Sequence, residues 1–236
     1  MKKKSIKKIG IGIGLLAAFV LWTVLVRMVD VQAIGPQGSS VGFATWNGFV
    51  HALTGIHMSL YVLTDWLGLV PFGVAFGFGV LGLAQWIRRK SLTRVDRSLL
   101  LLGGFYVVVM AVYLLFETVV INTRPVLIEG RLEASYPSST TVLVLCVIPT
   151  AIMQIRERIK NRMAWRCVGI VMSVFLVFMV AGRLLSGVHW LTDIIGGVLL
   201  SAGLVAIYSG LCTASEGLLK NNVTAHAKGL DKRHGV

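Results

Sequence analysis

Charge is scarce in this chain. Asp, Glu, Lys and Arg make up 14% of its 236 residues, against roughly 25% in an ordinary soluble domain. Acids are the rarest of all, 10 against 23 Lys and Arg. With 56% of residues hydrophobic, the balance excludes disorder, which needs low hydrophobicity, and argues against a soluble globular enzyme. Cysteine is nearly absent too. The three residues, Cys146, Cys167 and Cys212, sit in apolar runs, with no spacing that builds a disulfide framework or a zinc site. They read as small packing residues. No cluster of metal ligands is visible in the sequence, so neither a metal nor a cofactor is expected.

What is abundant is apolar sequence in runs of about 20 residues, the length that crosses a ~30 Å hydrocarbon core. Six such runs predict an all-α bundle of six transmembrane helices: Ile9 to Met28, Trp66 to Ile87, Leu99 to Ile121, Ser139 to Ile155, Trp165 to Leu185 and Leu191 to Cys212. The organisation expected is a basic tail and anchor over 1–28, one membrane domain over 29–215 and a loose polar cytoplasmic tail over 216–236. The first run has a basic start, and Val31-Gln32-Ala33 resembles a signal cleavage site. Its apolar stretch exceeds the usual 7–15 residues of a signal peptide, and a retained anchor is the reading adopted.

The net charge of +13 does not point to nucleic acid, because the cations fall in short clusters between apolar runs. Nineteen of the 23 Lys and Arg lie in the two termini and in the loops around 88–97 and 156–166; only Arg27, Arg124, Arg131 and Arg183 lie on the other side. The positive-inside rule therefore places both termini in the cytoplasm. The segment from Asp30 to Asp65, with Trp46, Phe49, His51 and His57, falls outside and suits an interfacial helix, with both histidines expected at the surface. Gly73, Gly77, Gly79 and Gly82 in the second run suggest close helix packing. Gly10, Gly12 and Gly14 resemble a nucleotide-binding loop, but no strand precedes them, so they too read as packing residues.

Ionisable residues at membrane depth are costly and signal function. Three clusters fall at the same edge: Arg124-Pro125, Tyr136-Pro137-Ser138-Ser139-Thr140, and Arg183 through His189 to Asp193. Their chemistry converges on an anion. Arg124 and Arg183 offer forked donors that match phosphate oxygens. Ser138 is placed to N-cap the fourth span, leaving the amides of Ser139 and Thr140 as a phosphate cradle. His189 and Asp193 are four apart, as on one helical face. A carboxylate on one imidazole nitrogen would leave the other as a nucleophile or base.

In this order and spacing the clusters resemble the motifs of the type 2 phosphatidic acid phosphatase superfamily, whose core is shared with vanadium haloperoxidases. The family's third motif is Ser-Arg, five residues, His, three residues, Asp. Gly182-Arg183, His189 and Asp193 match all but the Ser. The first motif, Lys, six residues, Arg-Pro, keeps Arg124 and Pro125 but has Glu117 at the Lys position. The second, Pro-Ser-Gly-His, is here Pro137-Ser138-Ser139-Thr140. The resemblance covers about residues 55 to 212. It implies a six-span bundle and a phosphatase of lipid phosphates in which His189 attacks phosphorus and Asp193 orients it; with no metal-ligand cluster in the sequence, the reaction is expected to be metal-independent. Arg124, Ser138, Ser139 and Arg183 would hold the phosphate. Thr140 would stand where the family places the proton donor.

The implied activity is removal of phosphate from a phosphorylated lipid (an isoprenoid diphosphate, phosphatidylglycerophosphate or phosphatidic acid) at the outer face of a plasma membrane. The alternatives are a relative that binds or moves such a lipid without turnover, and an unrelated transporter. A transporter is disfavoured because its ionisable residues would gather at the midplane. Reporter fusions after Arg94 and after Lys160 are expected to read as cytoplasmic and one after Glu129 as external; the opposite pattern would overturn the charge argument.

Overall fold

The computed structural model describes residues 2–234, with side chains through Leu218. Its helices in chain order are α1 (Lys2–Met28), α2 (Ala44–Thr54), α3 (Met58–Leu67), α4 (Leu69–Arg89), α5 (Arg97–Thr118), α6 (Ser139–Arg158), α7 (Arg162–Leu185) and α8 (Leu191–His234). Among the described residues there is no strand beyond isolated bridges. Among the described residues six helical stretches are long and apolar enough to cross a membrane, α3 and α4 counting together. The chain is a multi-pass, all-α membrane bundle.

The second span differs from expectation. It runs over Met58–Arg89 rather than from Trp66. Gly68 between α3 and α4 keeps helical angles, φ −59° and ψ −20°. The only charge in α3 is Asp65, and it is paired with Arg183 at 3.2 Å, so it does not end the span. Helix α8 also departs from expectation, continuing past Glu216 to His234. No proline between those residues is there to stop it.

Helices α1 and α8 run antiparallel, fixed by Ser5 Oγ donating to the Gly210 carbonyl (2.8 Å) at one end and Trp22 Nε1 donating to the Thr192 carbonyl (3.2 Å) at the other. Glycine permits the approach. A Cβ on Gly203 would meet Leu16 at 2.8 Å, and one on Gly12 would meet Ile207 at 2.5 Å. Gly10 and Gly14 face open space, as do Gly73, Gly77, Gly79 and Gly82. The expected close packing through the α4 glycines is therefore absent; Gly79 and Gly82 instead line an apolar groove against α5, with Gly103 opposite. Helix α6 is the central one, with Val144, Cys146, Val147, Ile148 and Ala151 all buried. That position explains why α6 tolerates polar residues: Gln154 Nε2 donates to Tyr208 Oη (2.7 Å) and Thr150 Oγ1 to the Cys146 carbonyl (2.8 Å). Cys146 packs as expected, whereas Cys167 is exposed and Cys212 half-buried.

The turn between α7 and α8 is clamped from outside the bundle. Gly187 has φ +69°, and a Cβ there would lie 1.9 Å from the Gly55 carbonyl oxygen. The His57 N–H donates to the Ser186 carbonyl beside it (2.9 Å). Gly187→Ala is expected to cost at least about 1–2 kcal/mol from the left-handed backbone alone, seen as a fall of several degrees in the thermal midpoint of the detergent-purified protein. Gly77→Ala, facing open space, should be neutral or slightly stabilising. Equal losses at both positions would contradict this packing.

Candidate functional site

Two hydrogen bonds tie the three sequence clusters into one locus. Trp190 Nε1 donates to the Thr123 carbonyl (2.7 Å), joining the α7–α8 turn to the segment that carries Arg124. The Ser138 N–H donates to the Asp193 carbonyl (3.2 Å), joining the start of α6 to the start of α8. Arg124 is presented on a short hairpin. Its N–H bonds the Glu133 carbonyl (3.0 Å), Ser135 N–H bonds the Asn122 carbonyl (2.9 Å), and Ile128 and Arg131 exchange bonds across Glu129 and Gly130. Both tip residues have positive φ, +49° and +76°, the geometry that hairpin turns of this length require. Tyr136, buried and hydroxyl-bonded to Thr23 (2.7 Å), packs its ring against Gly196 and so fixes the approach to α6.

Arg183, in the last turn of α7, is only 2% exposed. Its Nη2 donates to Thr140 Oγ1 (2.6 Å) and Asp65 Oδ1 (3.2 Å), and its Nη1 to Thr64 Oγ1 (3.4 Å). Arg124 is also buried, with Nε 3.0 Å from Glu133 Oε2 in an ion pair along which the N–H is not aimed. Both guanidinium groups lie over the ring of Tyr61, at 5.1 Å for Arg183 and 5.8 Å for Arg124, within the range where the π-face attracts a cation. Arg124 thus pairs with Glu133 and not with Glu117, which is exposed at the end of α5.

Ser138 stands at the N-cap position of α6, but its hydroxyl accepts from Thr141 Oγ1 (3.0 Å) and caps no backbone amide. The first-turn amides, Ser139 and Thr140 among them, therefore have no side-chain acceptor and carry the positive end of the helix dipole. His189 lies in the turn before α8, not on its helical face. Its Nδ1 is 3.5 Å from Asp193 Oδ2, longer than an N–H···O bond. That oxygen accepts the Trp190 N–H instead (2.9 Å). Asp193 reaches back over the first turn of α8 as the acid of a capping box does, so the expected bond from Asp193 to His189 is displaced by a backbone cap.

The His189 ring is buried, and burial holds it well below the usual histidine range; the charges of Arg124 and Arg183 push the same way, and the Ser135 carbonyl opposes them. The ring is thus neutral near pH 7, the state a nucleophilic or basic imidazole needs. Neither ring nitrogen makes a well-formed hydrogen bond, and Arg124 Nη1 and Arg183 Nε are buried without an acceptor. Orphaned buried groups are rare and call for an explanation. An anion would supply acceptors for the arginines. Both arginines open onto a cleft of about 650 Å³, with Ser139, Thr140, Asp65, Glu117 and Glu133 on its wall.

Reasoning from sequence missed several residues here. Asp65 was signalled by being the only acid within an apolar stretch; Tyr61 and Glu133 gave no signal. Asn47 of α2 is buried, donates to Thr192 Oγ1 (2.9 Å) and accepts the Thr192 N–H (3.2 Å). His51, expected at the surface, is half-buried, with its ring 5.4 Å from that of Trp190 and Nε2 3.2 Å from the Gly187 carbonyl. His57 is exposed as expected. The apolar residues of α2, Trp46, Phe49 and Leu53, face outward. Such inverted polarity suits the interfacial position expected for this segment.

The family model of the PAP2 superfamily matches residues 98–214. That stretch holds Arg124, the Pro137 to Thr140 segment, Arg183, His189 and Asp193. A crystal structure described as the first transmembrane PAP2 type phosphatidylglycerolphosphate phosphatase, from Bacillus subtilis, is 19% identical, covering 87% of this chain and 96% of that one with a TM-score of 0.47. No curated protein matches the sequence. On its helical core and the residues carried there, the chain belongs to the PAP2 superfamily.

Proposed function

We propose that this protein is a lipid phosphatase acting at the outer face of a plasma membrane, through a phosphoryl group carried on His189. The observation that supports it most is the pair of buried guanidinium groups, Arg124 and Arg183, whose unpartnered nitrogens meet at one cleft. In this reading the arginines bind the non-bridging oxygens, and the free amides at the start of α6 add to the cradle. A neutral His189 nitrogen attacks phosphorus as the bond to the leaving oxygen breaks. Water then attacks the phospho-histidine, releases phosphate and restores the ring. Asp193 stabilises the imidazole charge that develops. No step calls on a metal.

Thr140 sets the substrate preference. Its hydroxyl accepts from Arg183 and supplies no proton near neutral pH, so a leaving alkoxide lacks the general acid that is typically worth roughly 10²–10⁴-fold. A diphosphate expels phosphate, which needs little protonation. A second reading, a protein that binds or moves a phosphorylated lipid without turnover, is favoured by the burial of His189, whose ring does not line the cleft.

Purified protein is expected to release phosphate faster from an isoprenoid diphosphate than from the matching monophosphate, and His189→Ala to abolish both. Thr140→His should raise monophosphate turnover more than diphosphate turnover, toward the low end of the roughly 10²–10⁴-fold range. Full activity in His189→Ala would overturn the mechanism. Binding of both lipids with turnover of neither would establish the second reading.

A further inference from the structure

Helix α8 begins without a cap of its own. Leu191 is its first residue, so Trp190 holds the place from which a capping side chain would accept a first-turn N–H, and an indole has only a donor. That donor is spent on the Thr123 carbonyl. The acceptor comes from another helix. Asn47 of α2, 1% exposed, takes the Thr192 N–H on Oδ1 (3.2 Å), while its Nδ2 donates to Thr192 Oγ1 (2.9 Å) and to the Gly42 carbonyl (2.7 Å). One turn further along α2, His51 Nε2 lies 3.2 Å from the Gly187 carbonyl. One face of α2 therefore grips both ends of the turn on which His189 sits. The face turned away carries Trp46, Phe49 and Leu53 at 68%, 63% and 71% exposure, and α2 has no Asp, Glu, Lys or Arg.

An exposed apolar stripe at helical spacing needs a cover, and its place in the chain says which. The segment before α2 is pinned to the end of α1, with the Phe43 N–H on the Val29 carbonyl (2.8 Å) and the Ala44 N–H on the Asp30 carbonyl (2.9 Å). Beyond α2 the chain enters α3, the start of the second span. Exposed Met28 and Val29 on one side and Ile56 and Met58 on the other continue the apolar surface of the two spans into the stripe. We infer that α2 is a strut seated in the outer leaflet, with Trp46, Phe49 and Leu53 in the lipid and Asn47 as a positioning residue that passes this seating to the start of α8 and the His189 turn. Such a helix binds a bilayer surface through its apolar face. The catalytic consequence rests on the phosphatase reading and deepens it, by making phosphoryl transfer at His189 depend on the membrane. With α2 unseated, the first turn of α8 loses its acceptor and the turn loses its grip. Arg124 and Arg183 hydrogen-bond to no residue of α2, so phosphate binding persists.

The test uses the full-length protein in phosphatidylcholine nanodiscs, with and without bromine near the top of the acyl chains. Trp46 fluorescence, taken as the difference from Trp46→Phe, reads the seating of α2. Hydrogen exchange of the peptide from Gly187 to Asp193 reads the turn, and phosphate release from farnesyl diphosphate gives kcat and KM. In the unaltered protein bromine should quench Trp46. The double variant Phe49→Ser, Leu53→Ser should lose that quenching, exchange faster at the turn, and show kcat about tenfold lower with KM unchanged, the pattern of a lost transition-state arrangement. Asn47→Ala should keep the quenching and show the same faster exchange and lower kcat; should it not fold, the double variant alone decides. No quenching of Trp46 in the unaltered protein would overturn the strut, since protein or water would then cover that face. Lost quenching with exchange and kcat unchanged would overturn the coupling, as would an Asn47→Ala variant that behaves like the unaltered protein. The expected quenching and exchange with no phosphate released by any form would overturn the phosphatase reading and leave the strut standing.

Discussion

Two like charges are held close together out of water. Arg124 and Arg183 are both buried, and both lie over one Tyr61 ring. Guanidinium groups do not lose their protons in proteins, so the fold has to compensate them in place. It does so with Asp65 from α3, Glu133 from the hairpin, the hydroxyls of Thr64 and Thr140, and the π-face between them. Even so, some of their N–H groups stay unpartnered. A buried charge that lacks part of its hydrogen bonding is costly, and its retention is the physical reason to read this locus as built for an anion.

The scaffold around that pair fixes loops more than it fixes helices. The α1–α8 pair sets the frame through glycine contacts, and α6 fills the middle. The turn that carries His189 is then held by α2 through Asn47 and His51, by the α2–α3 joint at Gly55, and by Trp190 reaching across to Thr123. Helix α2 has its polar side turned inward to this turn and its apolar side outward. The segment outside the spans is therefore part of what positions the site.

Much of this was legible in the sequence, because membrane solvation makes a simple rule of it: apolar length gives spans, and the few charges left over mark the site. Arg124, Arg183, His189 and Asp193 could be found that way, and they do converge. What escaped were contacts made across the bundle. Asp65 extends the second span because Arg183, more than a hundred residues away, neutralises it. Glu133 takes Arg124 because the hairpin folds back on itself, and the linear pattern does not show that fold-back. Asp193 spends its carboxylate on the Trp190 amide, a local capping choice that a spacing of four residues does not reveal. The α4 glycines face open space or, for Gly79 and Gly82, a groove instead of a neighbour, since residue size shows where helices are able to approach and not where they do.

The central claim is that phosphate passes through His189. The most direct measurement is mass spectrometry of the full-length protein quenched in alkali during turnover of a lipid diphosphate, conditions under which phospho-histidine survives. The account predicts an alkali-stable, acid-labile phosphate on the peptide containing His189, formed no more slowly than turnover and absent from His189→Ala. Turnover with no phosphate on His189 at any time point, or with phosphate on another residue, would contradict it.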